Sequence, residues 1–153
     1  MHEAERIALV RAVIEAAGGK DVLAQVGAET TEDSLHLAEE CMALGAKGLL
    51  AVTPHYYTPQ LRGAALDAYY GAIGAVGPVY VYHIPSYTGA SLDVPDVLRL
   101  SALPGVVGMK DSSGSLSMLV EVLAARPPGF VYYVGSGGAL PAALAHGADG
   151  TIA

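Results

Sequence analysis

Apolar positions along the chain alternate between helical spacing and short continuous runs. Over residues 3–17 they recur every three or four positions and end at a Gly-Gly pair, the pattern of an amphipathic helix with a left-handed stop. The apolar run at 22–27 predicts a strand covered on both faces. Thr30 or Thr31 is placed to cap the helix that follows. The chain is therefore predicted to open as helix, strand and helix.

The same alternation continues to the end of the chain. The second helix is predicted to bury a stripe of Leu35, Ala38 and Met42, with Cys41 beside it, and 84–89 is predicted to be a loop. In all, six strands are predicted, at 22–27, 49–53, 79–83, 106–110, 130–135 and from 150. The six helices include 66–76, 95–101, 116–125 and 140–146. Strands about 20 to 31 residues apart are typical of βα units, so a parallel sheet with right-handed crossovers is expected.

Two α/β architectures fit this order: an open doubly wound sheet, or a segment of a (β/α)₈ barrel. The loop after the first predicted strand, Gly27–Thr30, lacks the glycine pattern that holds a nucleotide phosphate. Polar, aromatic and proline residues instead collect directly after several strands. Because a barrel enzyme builds its active site from the C-terminal ends of several strands, the barrel is favoured.

Composition indicates one globular domain spanning residues 1–153. The chain is 52% hydrophobic and 15% charged, with a formal net charge of −7, which argues against disorder and against nucleic-acid or anionic-membrane partners. The single cysteine, Cys41, is expected to be a reduced core residue. No run reaches the length of a membrane-spanning helix, and no secretory signal is seen at the first residues. A cytoplasmic location is expected.

Lys110 ends the apolar run Val106–Met109 and is the most unusual residue in the pattern. A buried lysine either finds a carboxylate partner or gives up its proton, and a neutral amine is a nucleophile. The alternative is that Lys110 only marks the exit of the strand into solvent, with its stem along apolar surface.

Tyr82 ends the preceding predicted strand and would lie near Lys110 at the C-terminal edge of the sheet. Imine formation with a keto acid needs a neutral amine to attack and a proton to reach the carbinolamine oxygen, and a tyrosine hydroxyl can carry that proton. The alternative is that Tyr82 is an aromatic strand residue that fills the core.

Tyrosine, histidine and aspartate side chains elsewhere in the chain are further candidates for chemistry. Tyr56 and Tyr57 lie in a loop between two prolines, where they suggest either a wall of the site or a subunit contact. The five histidines do not show metal-ligand spacing, so no metal is expected. Asp111 follows Lys110 directly, and strand alternation predicts that it points away from the lysine toward the helices.

The sequence resembles the dihydrodipicolinate synthase / N-acetylneuraminate lyase family, (β/α)₈ enzymes that form a Schiff base between a lysine and pyruvate. Gly108–Gly114 is similar to the family's Schiff-base segment, Val81–Gly89 to its Tyr-x-x-Pro segment and Val52–Tyr57 to its Thr-Pro-Tyr-Tyr loop. The resemblance implies that Lys110 forms the imine, Tyr82 transfers protons and Tyr56 supports the relay from a neighbouring subunit. It also implies substrate contacts by three further residues, Tyr87, Ser112 and Gly135.

The resemblance implies as well a homo-oligomer, a small 2-keto acid and an aldehyde as reactants, and no cofactor beyond the imine itself. Two departures from the family pattern stand out. The chain matches strands three to eight, without the first two βα units, the Gly-Thr-Thr-Gly-Glu loop that holds the pyruvate carboxylate, or the C-terminal helices. Tyr87 also stands where true synthases usually carry an arginine, and a tyrosine cannot form the bidentate pair that an arginine makes with a carboxylate.

The sequence thus predicts a carbon–carbon lyase, a class I aldolase, with a 2-keto-3-deoxy sugar acid or 4-hydroxy-2-oxoglutarate type of substrate favoured. One alternative is 4-hydroxy-tetrahydrodipicolinate synthase of lysine biosynthesis. Another is a catalytically incompetent barrel fragment with a structural or assembly role. A weaker one is a phosphate-binding barrel that uses Gly135–Gly138 at a helix N-terminus.

Overall fold

The computed structural model describes residues 1–153 and alternates helices with the strands of one parallel sheet. The strands are β1 (Leu23–Gln25), β2 (Gly48–Val52), β3 (Val79–His83), β4 (Val106–Asp111), β5 (Val131–Val134) and β6 (Gly150–Thr151). The helices are α1 (Glu3–Ala16), α2 (Thr31–Ala43), α3 (Ala64–Val76), α4 (Pro85–Thr88), α5 (Val94–Ser101), α6 (Leu116–Ala125) and α7 (Leu140–Ala145), with a 3₁₀ turn at Gly137–Ala139. The predicted strand–helix order is confirmed.

Side chains placed at the helix starts explain several of these boundaries. Thr30 caps α2 by accepting a hydrogen bond from the Asp33 N–H at 3.0 Å. Asp93 does the same for α5 through the Asp96 N–H at 2.8 Å, and Ser115 for α6 through the Met118 N–H at 3.2 Å. Each cap satisfies a donor that the helix leaves without a partner. Of the two candidates at α2, the cap is therefore Thr30.

The predicted loop at 84–89 is wrong, because these residues contain the short helix α4. Proline supplies a fixed φ suited to the first helical position, and Pro85 begins this helix. Gly89 ends it with φ +66° in the left-handed region, which glycine adopts without steric cost. The helix count is accordingly seven and not six.

The strands lie in the order β1-β2-β3-β4-β5-β6, each paired in parallel with the next. In β3 the residues Val79, Val81 and His83 are buried, while Tyr80 and Tyr82 between them are half-buried. Because successive strand residues point to opposite faces, one face of the sheet is covered by helices and the other is open. We call the open face, which carries Tyr80 and Tyr82, the inner face.

One hydrophobic core fills the space between the helix-covered face and the helices. It extends from Ala24 in β1 to Ala148 just before β6. Cys41 is buried in it, and burial raises the pKa of its thiol, in agreement with a core role. The predicted stripe of α2 is rotated, since Leu37 is buried with Ala38 whereas Leu35 is only half-buried.

The expectation that the first strand is covered on both faces is wrong. In β1, Ala24 is buried, Leu23 is half-buried and Gln25 is exposed. By register with β2, Leu23 and Gln25 lie on the open inner face, so only the helix-covered side of β1, which carries Ala24, is enclosed. None of the helices is long and apolar enough to cross a membrane.

Candidate functional site

Lys110 lies on the inner face, one residue before the end of β4. The sheet register places it directly between Tyr82 of β3 and Tyr133 of β5. Residues in register on neighbouring parallel strands point to the same face, so the lysine has a tyrosine on each side. The predicted proximity of Tyr82 and Lys110 is thus present in the structure.

The amine of Lys110 lies over the ring of Tyr82. Nζ is 4.3 Å from the ring centroid, within the range of a cation–π contact. No carboxylate forms an ion pair with Lys110 and no hydrogen bond ties Nζ to the protein. The side chain is half-buried. The lysine is therefore only partly exposed and has no counter-ion, and its nitrogen is available to contact a ligand.

Ser112 and Gly135 lie beside the lysine at the C-terminal edge of the sheet. A Cβ built on Gly135 would come within 1.8 Å of Ser112 Oγ and 3.2 Å of Lys110 Cε, so only glycine leaves room for both side chains. The backbone N–H of Gly135 donates to the Asp111 carbonyl at 2.7 Å, and that of Ser112 donates to the His83 carbonyl at 2.8 Å. Three of the predicted site residues, Lys110, Ser112 and Gly135, are therefore in contact.

Asp111 points to the opposite face from Lys110, as alternation predicts, and is buried there with His83. His83 is 1% exposed and Asp111 5%, and His83 Nδ1 is 2.9 Å from Asp111 Oδ1. The Leu92 N–H donates to His83 Nε2 at 3.1 Å. Because Nε2 accepts this bond, the proton of a neutral imidazole is on Nδ1, which donates to the carboxylate.

Further donors complete the surroundings of the Asp111 carboxylate. Tyr132 Oη donates to Oδ2 at 2.8 Å, the Ser113 N–H to Oδ1 at 3.0 Å and the Ser113 hydroxyl to Oδ2 at 2.9 Å. Burial by itself would raise the pKa of Asp111, but the hydrogen bonds from His83, Ser113 and Tyr132 together hold it below its usual value. Burial and the neighbouring carboxylate raise the pKa of Tyr132. We call His83, Asp111, Ser113 and Tyr132 the buried polar cluster.

The buried polar cluster lies directly behind the lysine site. Tyr82 and Lys110 precede His83 and Asp111 in their strands, and the two pairs are in register. The hydrogen bond between His83 and Asp111 therefore joins β3 to β4 at the level of the two inner-face side chains. This arrangement fixes where Tyr82 and Lys110 stand relative to each other.

Tyr56 and Tyr87 are not brought against Lys110. Tyr56 is 75% exposed and Tyr87 84%, the first in the loop after β2 and the second in α4. Tyr56 packs edge-to-face on Tyr57 with ring centroids 4.8 Å apart. The Glu29 carboxylate accepts from the backbone N–H of Tyr56 at 2.8 Å and of His55 at 3.0 Å. Glu29, in the loop that follows β1, thereby holds the loop after β2 that carries Tyr56 and Tyr57.

Sequence reasoning missed Tyr133 and the role of Glu29. Tyr133 is half-buried on the inner face and its ring lies 5.9 Å from that of Tyr80. Period-two alternation within the predicted strand 130–135 places it on one face but does not say which side chains flank it. For Glu29, the only feature in the sequence is an acidic residue that follows a predicted strand, which does not indicate that it binds another loop. No three His, Cys, Asp or Glu side chains converge as metal ligands would.

The geometry defines a class of protein. A parallel sheet of βα units, with polar and aromatic side chains gathered at the C-terminal ends of adjacent strands, is typical of (β/α)₈-barrel enzymes. Comparison with known proteins agrees with this class. The family model described as the dihydrodipicolinate synthetase family matches residues 1–153. The chain belongs to that family.

Individual relatives cover the chain almost completely. The chain is 34% identical over 151 residues to 4-hydroxy-tetrahydrodipicolinate synthase 1 of Halalkalibacterium halodurans, which accounts for 97% of this chain and 50% of the relative. It is 36% identical to the 4-hydroxy-tetrahydrodipicolinate synthase of Moorella thermoacetica, over 99% of this chain and 52% of the relative.

A solved structure shows the same fold. The chloride-inhibited dihydrodipicolinate synthase of Acinetobacter baumannii, complexed with pyruvate, superposes with a TM-score of 0.92 at 28% identity, over 100% of this chain and 53% of that one. The six-stranded sheet is therefore a curled half-barrel of the family's (β/α)₈ type. The chain spans about half the length of the relatives that it matches, and the assignment of its strands to positions three to eight stays a prediction.

Proposed function

We propose that this chain carries the imine-forming half of a pyruvate-dependent carbon–carbon lyase of the class I aldolase type. The observation that supports this proposal is the position of Lys110 Nζ, over the Tyr82 ring and without a carboxylate partner. An amine that makes no ion pair can lose its proton without leaving a buried anion unpaired. A structural lysine on a strand exit would be expected in solvent or in a salt bridge.

The proposed reaction begins with attack of the neutral Lys110 amine on the keto carbon of pyruvate. A proton then reaches the carbinolamine oxygen, water leaves, and the carbon–nitrogen double bond forms. The imine withdraws electrons from the neighbouring carbon, which can lose a proton and attack an aldehyde, or in reverse accept the electrons of a breaking bond. Tyr82, beside the lysine, is the proposed proton carrier. No metal and no cofactor are needed for these steps.

The remaining predicted residues have supporting roles in this proposal. Ser112 and Gly135 shape the space around Lys110. Tyr56 and Tyr87 are exposed; Tyr56 is proposed to support proton transfer in the site of a neighbouring subunit, and Tyr87 to contact the substrate. The exposed pair Tyr56 and Tyr57 is the proposed contact with a second copy of the chain, because exposed aromatic pairs are favoured in interfaces. A homo-oligomer in the cytoplasm is thus part of the proposal.

The names of the relatives favour 4-hydroxy-tetrahydrodipicolinate synthase over a sugar-acid aldolase as the activity of the whole barrel. Tyr87 favours the sugar-acid aldolase, because a tyrosine lacks the positive charge that pairs with the carboxylate of an amino-aldehyde substrate. The two can be separated by supplying pyruvate with either aspartate semialdehyde or a hydroxylated aldehyde and following pyruvate consumption. If pyruvate is not consumed with either aldehyde, the result would support the alternative that the chain is a catalytically incompetent fragment.

The test of the imine is borohydride trapping with pyruvate, followed by peptide mass spectrometry. We expect a reduced pyruvate adduct on the peptide that contains Lys110. The adduct should be absent from Lys110→Arg and present in Lys47→Arg, which removes an exposed lysine just before β2. Label on other lysines with none on Lys110 would contradict the proposal. Retention of the adduct in the presence of a chelator would support the metal-free chemistry.

A further inference from the structure

The buried imidazole of His83 makes hydrogen bonds with both of its ring nitrogens, and the two bonds lead to different parts of the fold. Nδ1 is 2.9 Å from Asp111 Oδ1, in the strand that carries Lys110. Nε2 accepts from the Leu92 N–H at 3.1 Å, in the segment between α4 and α5. Because the ring is buried, water does not compete for either nitrogen. One side chain therefore joins the strand of the proposed nucleophile to a segment outside the sheet.

The bond between His83 and Leu92 closes a loop. β3 ends at His83, the chain continues into α4, and the backbone N–H of Leu92 returns to the imidazole nine positions later. We call residues 84–91 the α4 loop. Tyr87, the proposed substrate contact, lies exposed in this loop, whereas Leu92 is buried at its base. The imidazole thus holds the end of a loop that presents an aromatic side chain to solvent.

The other hydrogen bonds of the α4 loop stay within it. The Thr88 hydroxyl donates to the Ile84 carbonyl at 3.1 Å and accepts from the Ala90 N–H at 3.2 Å, and the backbone bonds of α4 are also local. These bonds give the loop its internal shape but do not set its position on the sheet. The bond from Leu92 to His83 is therefore the hydrogen bond that ties the end of the loop to β3.

The two ring nitrogens of His83 have fixed and different roles. A backbone N–H can only donate, so the bond from Leu92 requires an unprotonated Nε2. The proton of the neutral ring is then on Nδ1, which donates to the Asp111 carboxylate. Removal of the acceptor breaks only the link to the α4 loop, and removal of the donor breaks only the link to β4. The two links can therefore be tested separately.

We propose that His83 is a positioning residue, which sets the α4 loop and its Tyr87 relative to Lys110. The side chain of His83 lies on the helix-covered face of the sheet, opposite Lys110, so it acts through the backbone and does not touch the substrate. A loop held in place before a substrate binds lowers the entropic cost of binding, and a small displacement of a reacting group greatly reduces the rate. The roles of Tyr87 and Lys110 in this inference rest on the proposed function.

The first test separates the two links with His83→Asn and His83→Gln. The amide nitrogen of asparagine is as many bonds from Cβ as Nδ1 is, so this variant keeps a donor for Asp111 and loses the acceptor for Leu92. The amide oxygen of glutamine reaches as far as Nε2, so that variant keeps the acceptor and loses the donor. His146→Asn, which changes an exposed histidine, is the control and should behave as the unsubstituted chain in every assay.

Hydrogen–deuterium exchange of peptides that cover residues 84–92 measures the link to the α4 loop. We expect exchange about fivefold or more faster in His83→Asn than in His83→Gln, because only the asparagine leaves the Leu92 N–H without an acceptor. Peptides of β2 report global opening and are the internal reference. Equal exchange of 84–92 in the two variants, or a rise in His83→Asn that β2 shares in full, would overturn the proposal.

Borohydride trapping with pyruvate measures the link to the strand of Lys110. His83→Gln should slow trapping about threefold or more, because it loses the side-chain bond between β3 and β4 at the level of Lys110. His83→Asn should trap at nearly the rate of the unsubstituted chain. The two variants are thus expected in opposite order in the two assays. General destabilisation would give the same order in both assays, and that result would overturn the proposal.

A measurement on the unsubstituted chain needs no folded variant. In ¹⁵N NMR of labelled histidine, the ring of His83, the only buried histidine, should show a protonated Nδ1 and an unprotonated Nε2. A ring protonated at Nε2 could not accept from Leu92, so that tautomer would overturn the proposal. If the unsubstituted chain forms no adduct with pyruvate, the proposed function fails, whereas exchange and NMR still decide whether His83 holds the α4 loop.

Discussion

At the scale of single residues, the site is defined by which side chains the sheet register brings together. Lys110, Tyr82 and Tyr133 stand in a row across three strands, and Gly135 and Ser112 close the edge of the row. The lysine could be singled out from its place at the end of an apolar run. Its neighbours across the sheet depend on register, which no local pattern fixes.

Gly135→Ala should impair imine formation more than it impairs folding. The new Cβ would overlap Ser112 Oγ and press on Lys110 Cε, which displaces the amine from its position over Tyr82. Misplacement of a reacting group by an ångström can reduce a rate about 100-fold, so we expect at least a tenfold slower trapping by borohydride. Gly138→Ala is the matched control, since its Cβ would meet nothing closer than 3.9 Å. Equal trapping rates in the two variants would contradict the prediction.

Asp111→Asn should destabilise the fold and remove part of its acid sensitivity. The carboxylate accepts from four donors, and an amide cannot satisfy all of them, so we expect a loss of about 1–3 kcal/mol at neutral pH. The pKa of Asp111 is lower in the folded chain than its ordinary value of 3.8. Its stabilisation is therefore complete above that value and is lost as the pH falls through the folded pKa.

Urea unfolding between pH 7 and pH 3 measures both effects. The free energy of unfolding of the unsubstituted chain should fall more steeply below about pH 4 than that of Asp111→Asn, since the variant has no carboxylate to protonate at this position. Asp21→Asn, which changes an exposed carboxylate, serves as the control. Parallel pH profiles for the unsubstituted chain and Asp111→Asn would show that the buried polar cluster does not set the acid response.

At the scale of elements, glycines determine how closely the strands and the large inner-face side chains can pack. A Cβ on Gly108 in β4 would lie 2.5 Å from the Val131 carbonyl oxygen and 2.8 Å from the ring of Tyr80. The glycine thus lets the Tyr80 ring cross β4 to meet Tyr133. The sequence motif around Lys110 contains Gly108. The atoms that require a glycine at this position belong to β3 and β5.

Gly108→Ala should lower the free energy of unfolding by about 1–3 kcal/mol, as overpacking against backbone atoms does. Gly71→Ala in α3 is a control with the opposite expected sign. No atom lies within 4 Å of its built Cβ, and alanine is favoured over glycine inside a helix by roughly 0.5–1 kcal/mol. Chemical denaturation of both variants measures the two values. The prediction would be wrong if the two variants changed stability in the same direction.

At the scale of the whole molecule, a single core joins strands β1 to β5, and the residues just before β6, to the helices. The core runs from Ala24 to Ala148, whereas α1 has no buried residue. Val13, one of the apolar positions that recur at helical spacing in α1, is 44% exposed, since α1 packs only at the β1 end of the sheet. Because the core is continuous, the predicted single domain over residues 1–153 should unfold as one unit.

Thermal and urea unfolding should show one cooperative transition, followed both by circular dichroism and by tyrosine fluorescence. The chain has nine tyrosines and no tryptophan. The tyrosines report from the inner face, α3, α4, the buried polar cluster and the exposed loop after β2. Coincident transitions for the two signals indicate two-state behaviour. We expect α1 to exchange its amide hydrogens fastest, since it contributes least to the core. Two separate transitions would contradict a single domain.

The sequence by itself determined the order of helices and strands, the parallel βα arrangement, the family and the candidate lysine. These properties follow from local periodicity and from ordered motifs, which are written in neighbouring residues. The structure alone decided that α4 is a helix, that Tyr133 flanks Lys110, that His83 and Asp111 pair across 28 positions, and that Thr53 is buried without a partner. Each of these depends on register and packing between segments far apart in the chain, where steric fit and hydrogen-bond satisfaction are settled only once the sheet has formed.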